Sequence, residues 1–128
     1  MKTFAKMYDF MFELKVGLRV AYVPMCDGIP MGLTHGQRLN RQELVGHLMF
    51  FKKFWGEMAS EGLKKCIEFG LEDTGTKRIL GYPPVANIRC RTFLKRNGFK
   101  SEGILPSEFV REGKQEDVEI LTWEKDNG

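Results

Sequence analysis

The stretch Asn87-Ile-Arg-Cys-Arg-Thr-Phe-Leu-Lys-Arg-Asn-Gly98-Phe99 constrains the fold more than any other part of this 128-residue chain. Asn87 is a residue type whose side chain accepts from the orphan N–H groups that open a helix. Gly98 supplies the left-handed residue that closes one. Phe99-Lys-Ser-Glu-Gly103 follows at once and reads as the start of a strand. A short helix pinned at both ends and running directly into a strand calls for a sheet with helices packed on it.

The rest of the chain supplies that sheet. Phe4, Met7, Met11 and Leu14 recur at helical spacing and predict an amphipathic helix over residues 3–14. Val16, Leu18, Val20 and Tyr22 alternate with their neighbours as in a strand, Asp27-Gly28 is a hairpin turn, and Ile29, Met31 and Leu33 resume the alternation. Residues 15–35 therefore read as a β-hairpin, with Pro30 at a position that donates no ladder bond. Residues 36–42 are polar and turn-like. Leu44 to Phe51 is a dense apolar run, expected to be a central strand buried on both faces. Gly56 breaks it. Ala59, Leu63, Cys66, Ile67 and Gly70 then mark one face of a helix from Glu57 to Glu72, with charged residues opposite.

Asp73-Thr-Gly-Thr76 reads as a loop, and Arg78–Tyr82 as a short strand ended by Pro83-Pro84. After the Asn87 helix, a strand starting at Phe99 is expected to continue through Phe109–Arg111. Glu112–Lys114 should turn into a last strand, Val118–Trp123. Strand, helix and strand across residues 44–82 imply a parallel pair with a right-handed crossover, flanked by antiparallel hairpins. The expected class is α/β (α+β): a mixed, mostly antiparallel central sheet with a β-α-β-α core and helices on both faces. Residues 1–128 should form a single domain.

Composition narrows the partners. Twenty basic and 17 acidic residues leave a formal charge of +3, which permits an anionic ligand without demanding nucleic acid. Arg89, Arg91, Lys95, Arg96 and Lys100 cluster on the last helix, a charged face that suits solvent or a phosphate. The aromatics sit mostly at core-patterned positions, so a nucleic-acid module ranks last. Three cysteines without a CxxC pair argue against a disulfide framework or structural zinc, and for a reducing, cytoplasmic setting. Cys66 and Cys90 read as small core residues, and Cys26 as an exposed turn residue. No apolar run approaches a membrane span, and no signal-peptide pattern opens the chain. No metal site is expected.

Lys52-Lys-Phe-Trp-Gly-Glu-Met58 joins a central strand to a long helix. Free N–H groups and the helix dipole favour an anion at such a turn, and two lysines add to the field. Taken with the helix that starts at Asn87, the order resembles the GNAT superfamily of acyl-CoA-dependent N-acyltransferases. The family's pyrophosphate loop, [Gln/Arg]-x-x-Gly-x-[Gly/Ala], is matched by Lys53-Phe54-Trp55-Gly56-Glu57-Met58. Gly56 is in place, Lys53 stands for Gln or Arg, and Met58 for the small residue. The family's later motif, Asn-x-x-[Ala/Ser], then Tyr, then Gly-Phe and Glu-Gly, is matched by Asn87, Cys90, Gly98-Phe99 and Glu102-Gly103. Gly113–Asp117 is similar to the turn leading into the family's last strand. The resemblance runs over residues 16–123, with an abbreviated N-terminal part.

That resemblance implies acetyl-CoA or another acyl-CoA as cofactor. Its pantetheine would pair with backbone at Met49, Phe50 and Phe51, near Asn87, and its pyrophosphate would rest on Lys53–Met58. The acceptor would be an unidentified amine attacking the thioester directly. Glu43 lies about where many members carry a carboxylate base and is the favoured base, acting through water; His47 has the neutral range for that task. Each also fits a plain structural role, as a solvated loop carboxylate or a packed imidazole. The family's Tyr, the acid toward the departing thiolate, falls at Leu94, which has no proton to give; Tyr82 is the phenol nearest in sequence that could replace it. The resemblance thus implies either an N-acetyltransferase or a catalytically inactive accessory or virion protein of the kind found in tailed bacteriophages. A protein partner and a homodimer are left open by both.

Overall fold

The computed structural model describes residues 19–111 and 114–125, with side chains at all of these except 107–111 and 114–115. The helix expected over 3–14, the strand residues before Arg19 and most of the turn at Glu112–Lys114 lie outside the described residues. The chain divides into two compact units, Met1–Lys77 and Arg78–Gly128.

The first unit is a three-stranded antiparallel sheet carrying one long helix. Strand β1 (Arg19–Tyr22) is followed by a small hairpin, β2 (Met25–Cys26) and β3 (Ile29–Pro30), and then by β4 (Gly32–Arg38) and β5 (Glu43–Phe50). Asp27 and Gly28 take φ of 51° and 80°, the pair of left-handed residues that a tight two-residue hairpin turn needs. The expected hairpin is therefore real, but its arms pair in two places: β2 with β3 at the tip, and β1 with β4 below it. Cys26 is buried in that tip rather than exposed. Strand β4 runs on through Gly36 and Gln37 to Arg38, where a polar turn was expected. Thr34 and Gly36 face inward, where small residues suit close packing, and His35 and Gln37 face outward.

Helix α1 (Glu57–Thr74) lies on one face of this sheet. Its inward stripe is Ala59, Gly62, Leu63, Cys66, Ile67, Gly70 and Leu71, all buried. Fully burying a leucine or isoleucine side chain stabilises by about 1.5–3 kcal/mol, so this stripe is the chief reason the helix holds. The two glycines let it come close: a β-carbon at Gly62 would stand 3.2 Å from the Phe50 ring, and one at Gly70 3.5 Å from Leu44. The Tyr22 hydroxyl donates to Asp73 at 2.6 Å, tying β1 to the helix C-terminus. The helix extends two residues beyond Glu72 and is closed by Gly75, with φ 70°.

In the second unit, β6 (Arg78–Gly81) pairs antiparallel with β8 (Lys114–Glu124), which pairs antiparallel on its other side with β7 (Lys100–Arg111). Helix α2 (Ile88–Arg96) starts where the sequence indicates: the Asn87 side chain accepts from the Cys90 amide at 3.2 Å. Gly98, at φ 93°, closes it, and the Phe99 amide returns to the Leu94 carbonyl at 3.0 Å. The class is the one expected, α+β with mostly antiparallel strands.

Candidate functional site

Strand β5 has two different faces. Side chains alternate along a strand, so Leu44, Gly46, Leu48 and Phe50 share the face that meets α1, and Glu43, Val45, His47 and Met49 share the other. Leu44 and Phe50 are buried, whereas His47 and Met49 are exposed. The expectation of burial on both faces is corrected: α1 covers only one of them within this unit. Directly opposite on β4 stand Gln37 against Val45, His35 against His47, and Leu33 against Met49. The two imidazoles stack, with ring centroids 4.8 Å apart and planes 21° from parallel. Partial burial, then the neighbouring His47 and then Arg19, holds His35 below the usual histidine range.

Glu43 is differently placed. Asn40 Oδ1 accepts from the amides of Gln42 and Glu43 at 2.8 and 2.9 Å, and Asn40 Nδ2 donates to Glu43 Oε1 at 2.9 Å. The carboxylate is thus part of the Asx turn that joins β4 to β5. With a rise of about 3.3 Å per residue, it stands roughly 13 Å along the strand from His47. The two candidate bases share a face but do not converge on one atom.

At the far end of β5 the chain makes a single 3₁₀ turn at Lys52–Phe54 and then enters α1 through Gly56. Gly56 takes φ 100° and ψ −138°, a conformation open to glycine and costly for other residues. As the N-cap of α1, Gly56 has no side chain with which to cap it. Lys52, Lys53, Trp55, Gly56 and Glu57 are exposed around it, Met58 is half-buried and Phe54 is buried. The ammonium of Lys53 sits 5.0 Å from the Phe54 ring. The start of α1, with glycine at its cap position and two exposed lysines beside it, fits an anion such as a pyrophosphate, with Glu57 as the opposing charge in the first turn.

Backbone direction separates the three residues expected to meet a pantetheine arm. The Phe51 amide donates to the Met31 carbonyl at 2.8 Å. Alternation then turns the backbone of Met49 and Phe51 toward β4 and that of Phe50 away from it. The Phe50 carbonyl accepts from the Trp55 indole at 2.9 Å, so the half-exposed Trp55 ring is braced across the strand end.

The second unit carries Tyr82 and Asn87. Tyr82 is half-buried just after β6, and Asn87 is the α2 cap. Leu94 is a core residue, 4% exposed, against which a β-carbon on Gly81 would come to 3.8 Å. The basic cluster on α2 is divided. The Arg91 guanidinium donates to Glu119 Oε1 at 2.8 Å and to the Val85 carbonyl at 2.7 Å, and Lys95 meets Glu119 Oε2 at 3.1 Å. Arg89, Arg96 and Lys100 stay exposed. Burial pushes the Cys66 thiol up to about 11 and raises that of Cys90, so neither is a ready thiolate. Among the described residues no cluster of three or more His, Cys, Asp or Glu could hold a metal ion, and no helix is long and apolar enough to cross a membrane.

Two residues emerge that sequence reasoning passed over. Glu119 reads from sequence as an ordinary strand position. His35 fell in a stretch taken as the end of a hairpin; its alternation with Leu33 was the available signal, but pairing with His47 depends on register.

No protein-family model matches the chain, and no curated protein does. Solved structures do. A spermidine N-acetyltransferase chimera from Vibrio cholerae and hSSAT superposes with a TM-score of 0.76 at 16% identity, covering 88% of this chain and 72% of that one. A ribosomal L7/L12 α-N-protein acetyltransferase in complex with coenzyme A gives 0.75 at 17% identity, covering 88% and 65%. An acetyltransferase from Salmonella typhimurium that modifies the N-terminal serine of ribosomal protein L7/L12 gives 0.77 at 18%, covering 86% and 66%. The chain has the fold of the GNAT acetyltransferases, and it spans about two thirds of the length of these structures.

Proposed function

We propose that this chain is an acyl-CoA-binding protein of the N-acetyltransferase type, transferring an acetyl group from acetyl-CoA to an amine. The observation that carries the reading is the Lys52–Met58 turn: a helix start with glycine at its cap and two exposed lysines, set directly after β5, whose outer face carries His47 stacked on His35 of β4. The pyrophosphate is assigned to Lys53–Met58. Phe50, whose backbone faces away from β4, is the residue of the Met49–Phe51 group best oriented to meet the pantetheine.

In this reading a base removes a proton from the acceptor ammonium. The freed nitrogen bonds to the acetyl carbonyl carbon and the C–S bond breaks. Coenzyme A leaves as a thiolate, and the second proton given up by the nitrogen passes to it through water. His47 is the better base of the two candidates, because it is exposed in the strand, whereas Glu43 is bonded into a turn by Asn40. The solved neighbours act on spermidine and on a protein N-terminus by their descriptions. For this chain the acceptor class is a primary amine.

Leu94 favours a second reading, binding without turnover. It occupies the position of the family's phenol and is sealed in the core. General acid catalysis typically contributes about 10²–10⁴-fold, so its loss is the main obstacle to an efficient enzyme. Thiol release from acetyl-CoA, followed with spermidine and with a serine-initiated peptide as acceptors, tests the proposal. Amine-dependent release that falls at least tenfold in His47→Gln supports it. Release indistinguishable from spontaneous hydrolysis with every amine tried leaves the binding-only reading in its place.

A further inference from the structure

Histidine occurs twice in this chain, and the fold sets the two side by side. His35 and His47 are direct register partners on adjacent antiparallel strands. Both point to the face of the first unit's sheet that α1 does not cover. Their rings stack at 4.8 Å. Nothing in packing requires that. Leu33 and Met49, the next pair along the same face, are apolar and exposed, so a polar ring is not there to satisfy a buried neighbour.

Two imidazoles in this arrangement cannot both carry a proton without cost. Two positive charges about 5 Å apart repel even in water, and more strongly beside the lower-dielectric protein surface. The charged groups from the strands of this unit that share the face are Arg19, from β1, and Glu43, at the start of β5 itself. Arg19 acts on His35, adding to the burden against a second proton. Glu43 lies four residues from His47 and is bonded to Asn40, so it does not neutralise the pair at close range.

We propose that His35 and His47 form a coupled dyad that takes up one proton at a time, with His35 as a positioning residue that stays neutral, braces the His47 ring by stacking, and leaves His47 as the group that accepts the proton. A flat neutral ring against one side of His47 restrains its orientation on this face of β5. The use of that proton in acetyl transfer rests on the function proposed above. The coupling itself does not, and it is measured without any acceptor.

The experiment follows the Cε1–H signals of the two histidines by NMR as pH is varied, in the full-length protein, in His47→Gln and in His35→Gln. With only two histidines, each single variant assigns the other's signal. The expected result is a His35 midpoint below that of a free imidazole in the wild type, which rises by half a pH unit or more in His47→Gln. Because His35 stays neutral while His47 takes up its proton, the His47 midpoint is expected to move much less in His35→Gln than the His35 midpoint does in His47→Gln. His35→Phe keeps a stacked ring and removes the ionisable partner, and its His47 midpoint is expected to match that in His35→Gln. His35 titration curves that superimpose with and without His47 overturn the proposal, whether or not acetyl-CoA binds. Failure of acetyl-CoA to bind, with the coupling intact, overturns only the transferase reading.

Discussion

Arg91 donates to Glu119 at 2.8 Å across the packing of α2 on β8, and the carboxylate that receives it is 4% exposed. Lys95 approaches the other carboxylate oxygen at 3.1 Å, so one acid on a central strand takes two bases from successive turns of one helix. The segment resembling a cofactor motif is thus anchored by charge as well as by its cap at Asn87.

Glu119→Gln keeps the shape and removes the charge. Breaking a buried pair costs about 3–5 kcal/mol; because Arg91 and Lys95 keep contact with water, a smaller loss, about 2–3 kcal/mol, is expected. For a domain of this size that lowers the thermal midpoint by roughly 6–12 °C. Calorimetric melting checks it, and an unchanged midpoint means the pair contributes nothing net.

The same carboxylate sets an acid limit. The Arg91 guanidinium above all, helped by Ser101 and Lys95 and opposed by burial, holds Glu119 at about 2 against an ordinary 4.5. A depressed folded value means the contribution is complete above the unfolded value and is lost as pH falls toward the folded one. Stability should therefore decline between about 4.5 and 2 from this group, and Glu119→Gln should flatten that part of the profile. Urea midpoints measured across the window test this; wild type and variant declining in parallel would contradict it.

Leu94→Tyr restores the residue type that the family motif carries. Leu94 is buried among apolar neighbours, and overpacking a core costs about 1–3 kcal/mol. The expected outcome is a less stable protein with no gain in thiol release. A gain of tenfold or more would show that the position opens toward the reacting atoms.

Trp55→Phe removes the indole donor to the Phe50 carbonyl and keeps an aromatic ring. A single hydrogen bond contributes about 0.5–1.5 kcal/mol net, so folding should weaken by no more than that. The variant is expected to weaken acetyl-CoA binding by several-fold, because Trp55 braces the strand end where the cofactor is proposed to bind. Identical affinity with and without the indole would remove Trp55 from the site.

Local signals carried much of this fold. Asn87 and Gly98 mark the ends of α2 because capping is decided within a few residues. The stripe from Ala59 to Gly70 marks α1 because burial follows helical period. Strand β4 was cut short at Gly36, since a glycine among polar residues looks like a turn; in the sheet its missing side chain makes room for Leu44, with a β-carbon there meeting that side chain at 3.0 Å. The two-sided burial expected for β5 failed because apolar content does not say which face is covered. The strand-to-helix turn with Gly56 at its end is where sequence spacing puts it, because a glycine break between two periodic segments is a local signal. His35 and Glu119 act through partners 12 and 28 residues away, and such partners are set by register and helix placement rather than by local pattern.

The central claim is that the Lys52–Met58 turn holds the phosphates of an acyl-CoA. Calorimetric titration of acetyl-CoA into the wild type and into Gly56→Glu tests it most directly. The account predicts saturable binding in the micromolar range for the wild type. It predicts a loss of at least tenfold in Gly56→Glu, whose added carboxylate repels phosphate at the helix start, with circular dichroism showing the variant still folded. No heat of binding from the wild type at high micromolar concentration, or undiminished binding in the folded variant, would contradict it.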